Sequence, residues 1–99
     1  MFEKNKIYEK LLVIKPCHTK GKLMAEINFD ESIDLKKIES SVIKIADIKN
    51  VLYSSDLGLV KYTIADMNVF VFENGFVRVK NALNKNEIVS VIEFLKQEL

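Results

Sequence analysis

Ninety-nine residues, 48% apolar and 29% charged, with three glycines and one proline, exclude a disordered, fibrous or low-complexity chain and predict one globular domain over 1–99. Fifteen basic against fourteen acidic residues leave a net charge of +1, too little to coat polyphosphate by bulk charge. One cysteine, Cys17, excludes an internal disulfide, and the early apolar run Leu11 to Ile14 is too short for a signal peptide or a membrane span, so a cytoplasmic protein away from membranes is expected.

Met1 to Lys10 reads as a loosely held terminus. Leu11 to Ile14 is a short strand stopped by Lys15-Pro16, and the proline places it at a sheet edge. Cys17 to Gly21 is a polar connection. From Lys22 to Phe29 the chain alternates, with Leu23, Ala25, Ile27 and Phe29 on one side and Lys22, Met24, Glu26 and Asn28 on the other, which predicts a half-buried strand. Asp30, Glu31, Ser32 and Asp34 supply acids and caps ahead of a helix whose apolar stripe is Leu35, Ile38, Val42 and Ile45, with Asn50 as its stop.

Val51 to Tyr53 returns to extended chemistry, and Asp56-Leu57-Gly58 is a turn. Leu59 to Ile64 alternates, with Val60, Tyr62 and Ile64 opposite Leu59, Lys61 and Thr63. Ala65 to Met67 turns the chain into Asn68 to Phe72, where Val69 and Val71 oppose Phe70 and Phe72. Asn74-Gly75 predicts a two-residue primed hairpin turn, because both positions tolerate positive φ. The return strand, Phe76 to Lys80, sets Val77 and Val79 against Phe76, Arg78 and Lys80. Asn84 then caps a last helix, answered by Glu87 as in a capping box, with a buried stripe of Ile88, Val91, Ile92, Leu95 and Leu99.

Four consecutive strands with short connections form an antiparallel meander, so the class is α+β: an antiparallel sheet of five to six strands with two helices on one face. The other face then carries Lys22, Met24, Lys61, Phe70, Phe72, Phe76, Arg78 and Lys80, aromatic residues beside cations with Glu26 as the one carboxylate among them.

The order of elements resembles one repeat of the TATA-binding protein. The segments that carry the resemblance are Ile33-Asp34-Leu35-Lys36-Lys37-Ile38 at the helix start, Asn50-Val51-Leu52-Tyr53 after it, and Val71-Phe72-Glu73-Asn74-Gly75 at a strand end. It covers roughly Lys22 to Leu99 and implies a TBP-like fold and a sheet face that contacts the DNA minor groove, with one wedging ring at Phe72 and the second wedge position near Leu57. That family joins two repeats into a saddle, and this chain holds one. Lys15-Pro16-Cys17 with Lys22 to Ser32 is also similar to a segment of archaeal iron-sulfur-associated proteins, which implies an accessory domain of such a system. This chain lacks their cysteines.

Catalysis has little to stand on. Cys17 and His18 are neighbours, but adjacent side chains in an extended loop point apart, and two ligands leave a zinc site short. Capping accounts for Asp30, Glu31 and Asp34, and Gly21, Gly58 and Gly75 are isolated turn residues rather than a phosphate loop. No catalytic residue, metal or cofactor is expected. The aromatic-basic face is read as the contact surface of a non-enzymatic protein-interaction or self-associating module, with nucleic-acid binding as the alternative and cover by the N-terminal segment as a third use. A Leu11 to Ile14 strand paired with Lys22 to Phe29 predicts a monomer, whereas an open edge there predicts a two-fold dimer.

Overall fold

The computed structural model describes residues 12–17 and 21–98. Strands β1 (Val13–Pro16), β2 (Leu23–Asn28), β3 (Ile48–Ser54), β4 (Leu59–Ile64), β5 (Met67–Phe72) and β6 (Phe76–Ala82) form one sheet in the order β1-β2-β6-β5-β4-β3, and every neighbouring pair is antiparallel. Helix α1 (Leu35–Ile43) joins β2 to β3, and α2 (Lys85–Gln97) follows β6. The α+β class and the six-stranded antiparallel sheet agree with the sequence.

Period-two alternation sorts the strands into two faces. Ala25, Ile27, Val60, Tyr62, Met67, Val69, Val71, Val77, Val79 and Ala82 point inward, and each is at most 3% exposed. They share one core cluster with Leu35, Ile38 and Val42 of α1 and Ile88, Val91, Ile92 and Leu95 of α2, whereas Ile45, the last member of the first stripe read from the sequence, lies beyond α1 and is half-buried. The Ser41 hydroxyl of α1 donates to the carboxylate of Glu98, tying the first helix to the end of the second.

Both helices begin on the caps their sequences offer. The Asp34 carboxylate accepts the N–H groups of Lys36 and Lys37, and Asn84 accepts that of Glu87 at 3.0 Å. Glu87 reaches back to the N–H of Leu83 at 2.7 Å, one residue before the cap, so the box closes one position earlier than its usual form.

Three local expectations are corrected. Helix α1 ends at Ile43, capped by Lys44, and Asn50 does not stop it: it lies inside β3 with φ of 56°. There the register passes from Lys49 opposite Thr63 to Leu52 opposite Lys61, a bulge whose extra residue the left-handed asparagine accommodates. The Asn74-Gly75 turn is not a two-residue primed turn. Glu73, Asn74 and Gly75 form a three-residue loop in which the Gly75 N–H donates to the Phe72 carbonyl and Gly75 alone takes positive φ. The positive-φ pair of a primed turn sits instead at Ala65 and Asp66, between paired Ile64 and Met67. Finally, the first strand is Val13–Pro16, with Pro16 as its last residue on an edge strand, where a missing N–H is tolerated. Leu11, the Met1 to Lys10 segment, His18 and Leu99 lie outside the described residues.

Gly75 holds the hairpin end against the β2–α1 connection. Its carbonyl accepts the Phe29 N–H, and the Glu73 carbonyl accepts that of Ile33, both at 2.9 Å. At φ of 99°, a Cβ on Gly75 would stand 2.5 Å from the Glu31 carbonyl oxygen. Gly21 has a similar φ of 79° but nothing within 4 Å of its Cβ position. Gly21→Ala should therefore cost only the left-handed penalty of about 1–2 kcal/mol. Gly75→Ala adds a backbone displacement and should cost at least twice as much by urea denaturation; equal losses would contradict this reading of the hairpin contact.

Candidate binding face

The opposite face of the sheet is built from the residues that alternate with the core. Register places them in three rows across the strands. The middle row runs Val13, Glu26, Arg78, Phe70, Lys61 and Leu52, each opposite the next, from β1 to β3. Toward the β5–β6 loop lies a row of Asn28, Phe76, Phe72, Leu59 and Ser54, in which the Phe72 and Phe76 ring centroids are 5.8 Å apart with planes tilted by 50°. Toward the other strand ends lie Lys15 and Met24, then Lys80, Asn68, Thr63 and Lys49. The row toward the β5–β6 loop holds two of the rings, the opposite row holds three lysines, and the middle row sets Phe70 between Arg78 and Lys61.

Strand β6 keeps this arrangement through a second bulge. Leu23 pairs with Ala82 and Ala25 with Val79, so Lys80 and Asn81 together oppose Met24. Asn81 absorbs the extra residue at φ of 69° and donates through Nδ2 to the Asp66 carbonyl in the β4–β5 turn at 2.9 Å. Lys80 lies on the outer face beside Asn68 by plain alternation, and the bulge returns Ala82 to the core.

The charged groups are held by specific contacts. Glu26 accepts from Arg78 through Nε at 2.9 Å and pairs with its terminal nitrogen at 2.8 Å, and Lys15 Nζ stands 3.6 Å from its other oxygen. The Arg78 guanidinium lies 5.5 Å from the Phe76 ring centroid. Lys61 and Lys80 lie over Phe70 at 5.6 and 5.9 Å. Such exposed cation–π contacts are worth about 0.5–1 kcal/mol, little enough for a lysine to leave the ring for an anion. Arg78, fixed by both Glu26 and Phe76, is far less free to move.

Of the residues the sequence nominated for this face, Met24, Lys61, Phe70, Phe72, Phe76, Arg78 and Lys80 stand together, all half-buried. Lys22 falls one residue ahead of β2, its carbonyl accepting the Cys17 N–H at 3.0 Å. Lys15 and Lys49 were not legible as members. Lys15 read as the end of a strand, and the bulge at Asn50 interrupts the alternation that would have shown the side of Lys49. Leu57, 70% exposed in the β3–β4 turn, lines a shallow depression together with Phe72.

Among the described residues, five cations (Lys15, Lys49, Lys61, Arg78 and Lys80) face one carboxylate on this surface, a charge of +4, while the other described residues, six basic and eleven acidic, carry −5. The near-neutral total conceals a strongly asymmetric molecule.

Among the described residues no group of three or more histidine, cysteine, aspartate or glutamate side chains stands where it could hold a metal ion, and no helix is long and apolar enough to cross a membrane. No protein-family model, curated protein or solved structure matches the chain.

Among the described residues one titratable group is strongly shifted. Tyr62 is 1% exposed, and burial pushes its phenol well above the usual value of 10. The folded state therefore keeps the neutral phenol, and its contribution is fully present below pH 10. It is lost as the pH rises above 10, where the unfolded chain ionises first. The unfolding free energy should fall with pH above 10, and Tyr62→Phe should flatten that decline; an unchanged slope in the variant would show that Tyr62 is not its source.

Proposed function

We propose that this chain is a non-enzymatic binding module that holds single-stranded nucleic acid on the outer face of its sheet, with bases against Phe70, Phe72 and Phe76 and phosphates along Lys80, Lys61 and Lys49. The observation that carries the reading is the gathering of three rings and five cations against one carboxylate on one face of the sheet, while the other described residues are net acidic. A single strand presents the matching pattern, π-faces along one side and regularly spaced negative charge along the other. Bases in a duplex are already stacked on one another, so half-buried rings gain most from an unpaired strand. The same reading takes both helices as packed on the inner face and the fold as a TBP-like single repeat.

The competing use, self-association by continuing the sheet, rested on an open β2 edge. Strand β1 occupies that edge from Leu23 to Glu26, with Val13 opposite Glu26 and Pro16 opposite Leu23. The remaining edges are a four-residue strand ending in proline and a bulged one, and both features discourage edge-to-edge pairing.

Binding of a labelled thymidine 12-mer, followed by anisotropy between 50 and 200 mM salt, tests the proposal. Release of counterions from about three phosphates predicts a log–log slope near −2. Lys61→Ala and Lys80→Ala should each shallow that slope by about 0.7. Phe72→Ala should weaken binding by about tenfold, the loss of one stacked base. Glu26→Gln should tighten binding, because it removes the one carboxylate that holds Arg78 and Lys15. No binding at 50 mM salt would overturn the reading. Equal affinity for a polyglutamate of the same charge would also overturn it and move the face to an acidic protein partner.

A further inference from the structure

The Phe72 and Phe76 rings are flanked by two side-chain amides whose orientation the backbone fixes. Asn28, opposite Phe76 on β2, accepts the Asp30 N–H through Oδ1 at 2.8 Å. Asn74, in the loop that joins the two rings, accepts the Phe76 N–H through Oδ1 at 3.1 Å and lines the depression at Phe72. A backbone N–H can only donate, so each bond identifies the amide oxygen and leaves the NH2 group with two donors to offer. Both asparagines are exposed, and among the described residues neither Nδ2 meets an acceptor. Ser54, at the far end of the same row, repeats the pattern: its Oγ accepts the Leu57 N–H at 3.2 Å, which leaves the hydroxyl hydrogen to donate.

A base lying against these rings therefore meets donors at its edge. Thymine and uracil carry an accepting oxygen at position 4, where cytosine carries an amino group; guanine and adenine differ in the same way at position 6. An exocyclic oxygen answers an asparagine NH2, whereas an amino group sets donor against donor and leaves both without a partner. The Glu73 carboxylate, in the same loop with Oε1 beside Gly58, does not separate the two classes. It can accept the ring N–H of thymine or uracil and equally the amino group of cytosine.

Resting on the reading of the outer face as a single-strand site, we propose that Asn28 and Asn74 make the Phe72 and Phe76 platform selective for keto bases, thymine, uracil and guanine, over the amino bases cytosine and adenine. The choice is made at the ring end of the face. In the basic row Asn68 accepts the Thr63 hydroxyl through Oδ1 at 3.3 Å, and there its NH2 group faces phosphate, which every base carries alike.

Anisotropy of labelled thymidine and deoxycytidine 12-mers at 50 mM salt tests the proposal, because the two pyrimidines differ at the ring edge and share one backbone. The thymidine strand should bind about fivefold more tightly, as one neutral hydrogen bond predicts. Asn28→Asp with Asn74→Asp keeps both acceptors for the backbone N–H groups and replaces each NH2 by an oxygen. Its added charge should weaken both strands, and the preference should pass to deoxycytidine. Asn68→Asp, a charge change of the same kind in the basic row, should weaken both strands and keep the thymidine preference. Equal affinity of the two strands for the native chain would overturn the base selectivity while leaving the single-strand reading intact; binding of neither would remove both. A thymidine preference that survives the double substitution, or that Asn68→Asp also reverses, would overturn the role of Asn28 and Asn74.

Discussion

The register of the β5–β6 hairpin is the constraint on which the rest of this molecule depends. It sends Val69, Val71, Val77 and Val79 into the core and Phe70, Phe72, Phe76, Arg78 and Lys80 to the outer face. Because strand periodicity is two, a slip of one residue would exchange the whole set. Arg78 and Lys80 would then enter a core whose described buried residues are all apolar or aromatic, and the desolvation cost of unpaired charge makes that register inaccessible. Gly75 closes the hairpin and docks it on the β2–α1 connection, so the same contact that fixes the register also sets where α1 begins.

Two bulges let the sheet keep both faces consistent. At Asn50 and at Asn81 an extra residue is taken up in a left-handed conformation, which asparagine adopts more readily than most residues. Without the first, Lys49 and Leu52 could not lie on the same face as Thr63 and Lys61. The second turns Ala82 into the core, where unbroken alternation from Lys80 would point it outward. The basic row therefore gains Lys49 through the first break in alternation, and the Asn81 amide, bonded to the Asp66 carbonyl, braces the neighbouring turn.

That dependence explains what could be read from the sequence. The inward valines, the helical stripes and the caps at Asp34 and Asn84 follow from periodicity and local hydrogen bonding, which a single chain displays. Turn geometry was less legible. Asn74-Gly75 has the composition of a primed turn, yet the loop takes three residues because the contact of Gly75 with Glu31 is long-range, while Ala65-Asp66 takes the primed conformation with no glycine at all. Asn50 looked like a helix stop because bulges and helix ends select the same left-handed residues. Most of the candidate face was legible from alternation, and the members that were missed, Lys15 and Lys49, sit where a proline or a bulge hides the period.

The outer face and the core use opposite sides of the same strand. Lys61 and Thr63 look outward from β4 toward the rows of rings and cations, and Tyr62 between them looks inward. A six-stranded sheet of valine-rich strands gives both sides a rigid support, which is what a binding surface needs if its rings are to meet a ligand without first being ordered.

The most direct test of the central claim is a backbone amide and side-chain NMR titration with the thymidine 12-mer, read position by position along β5 and β6. The account predicts that side-chain shifts alternate, large at Phe70, Phe72, Phe76, Arg78 and Lys80 and small at Val69, Val71, Val77 and Val79. Shifts that cluster on α1 or α2, or that fail to alternate along the two strands, would contradict it.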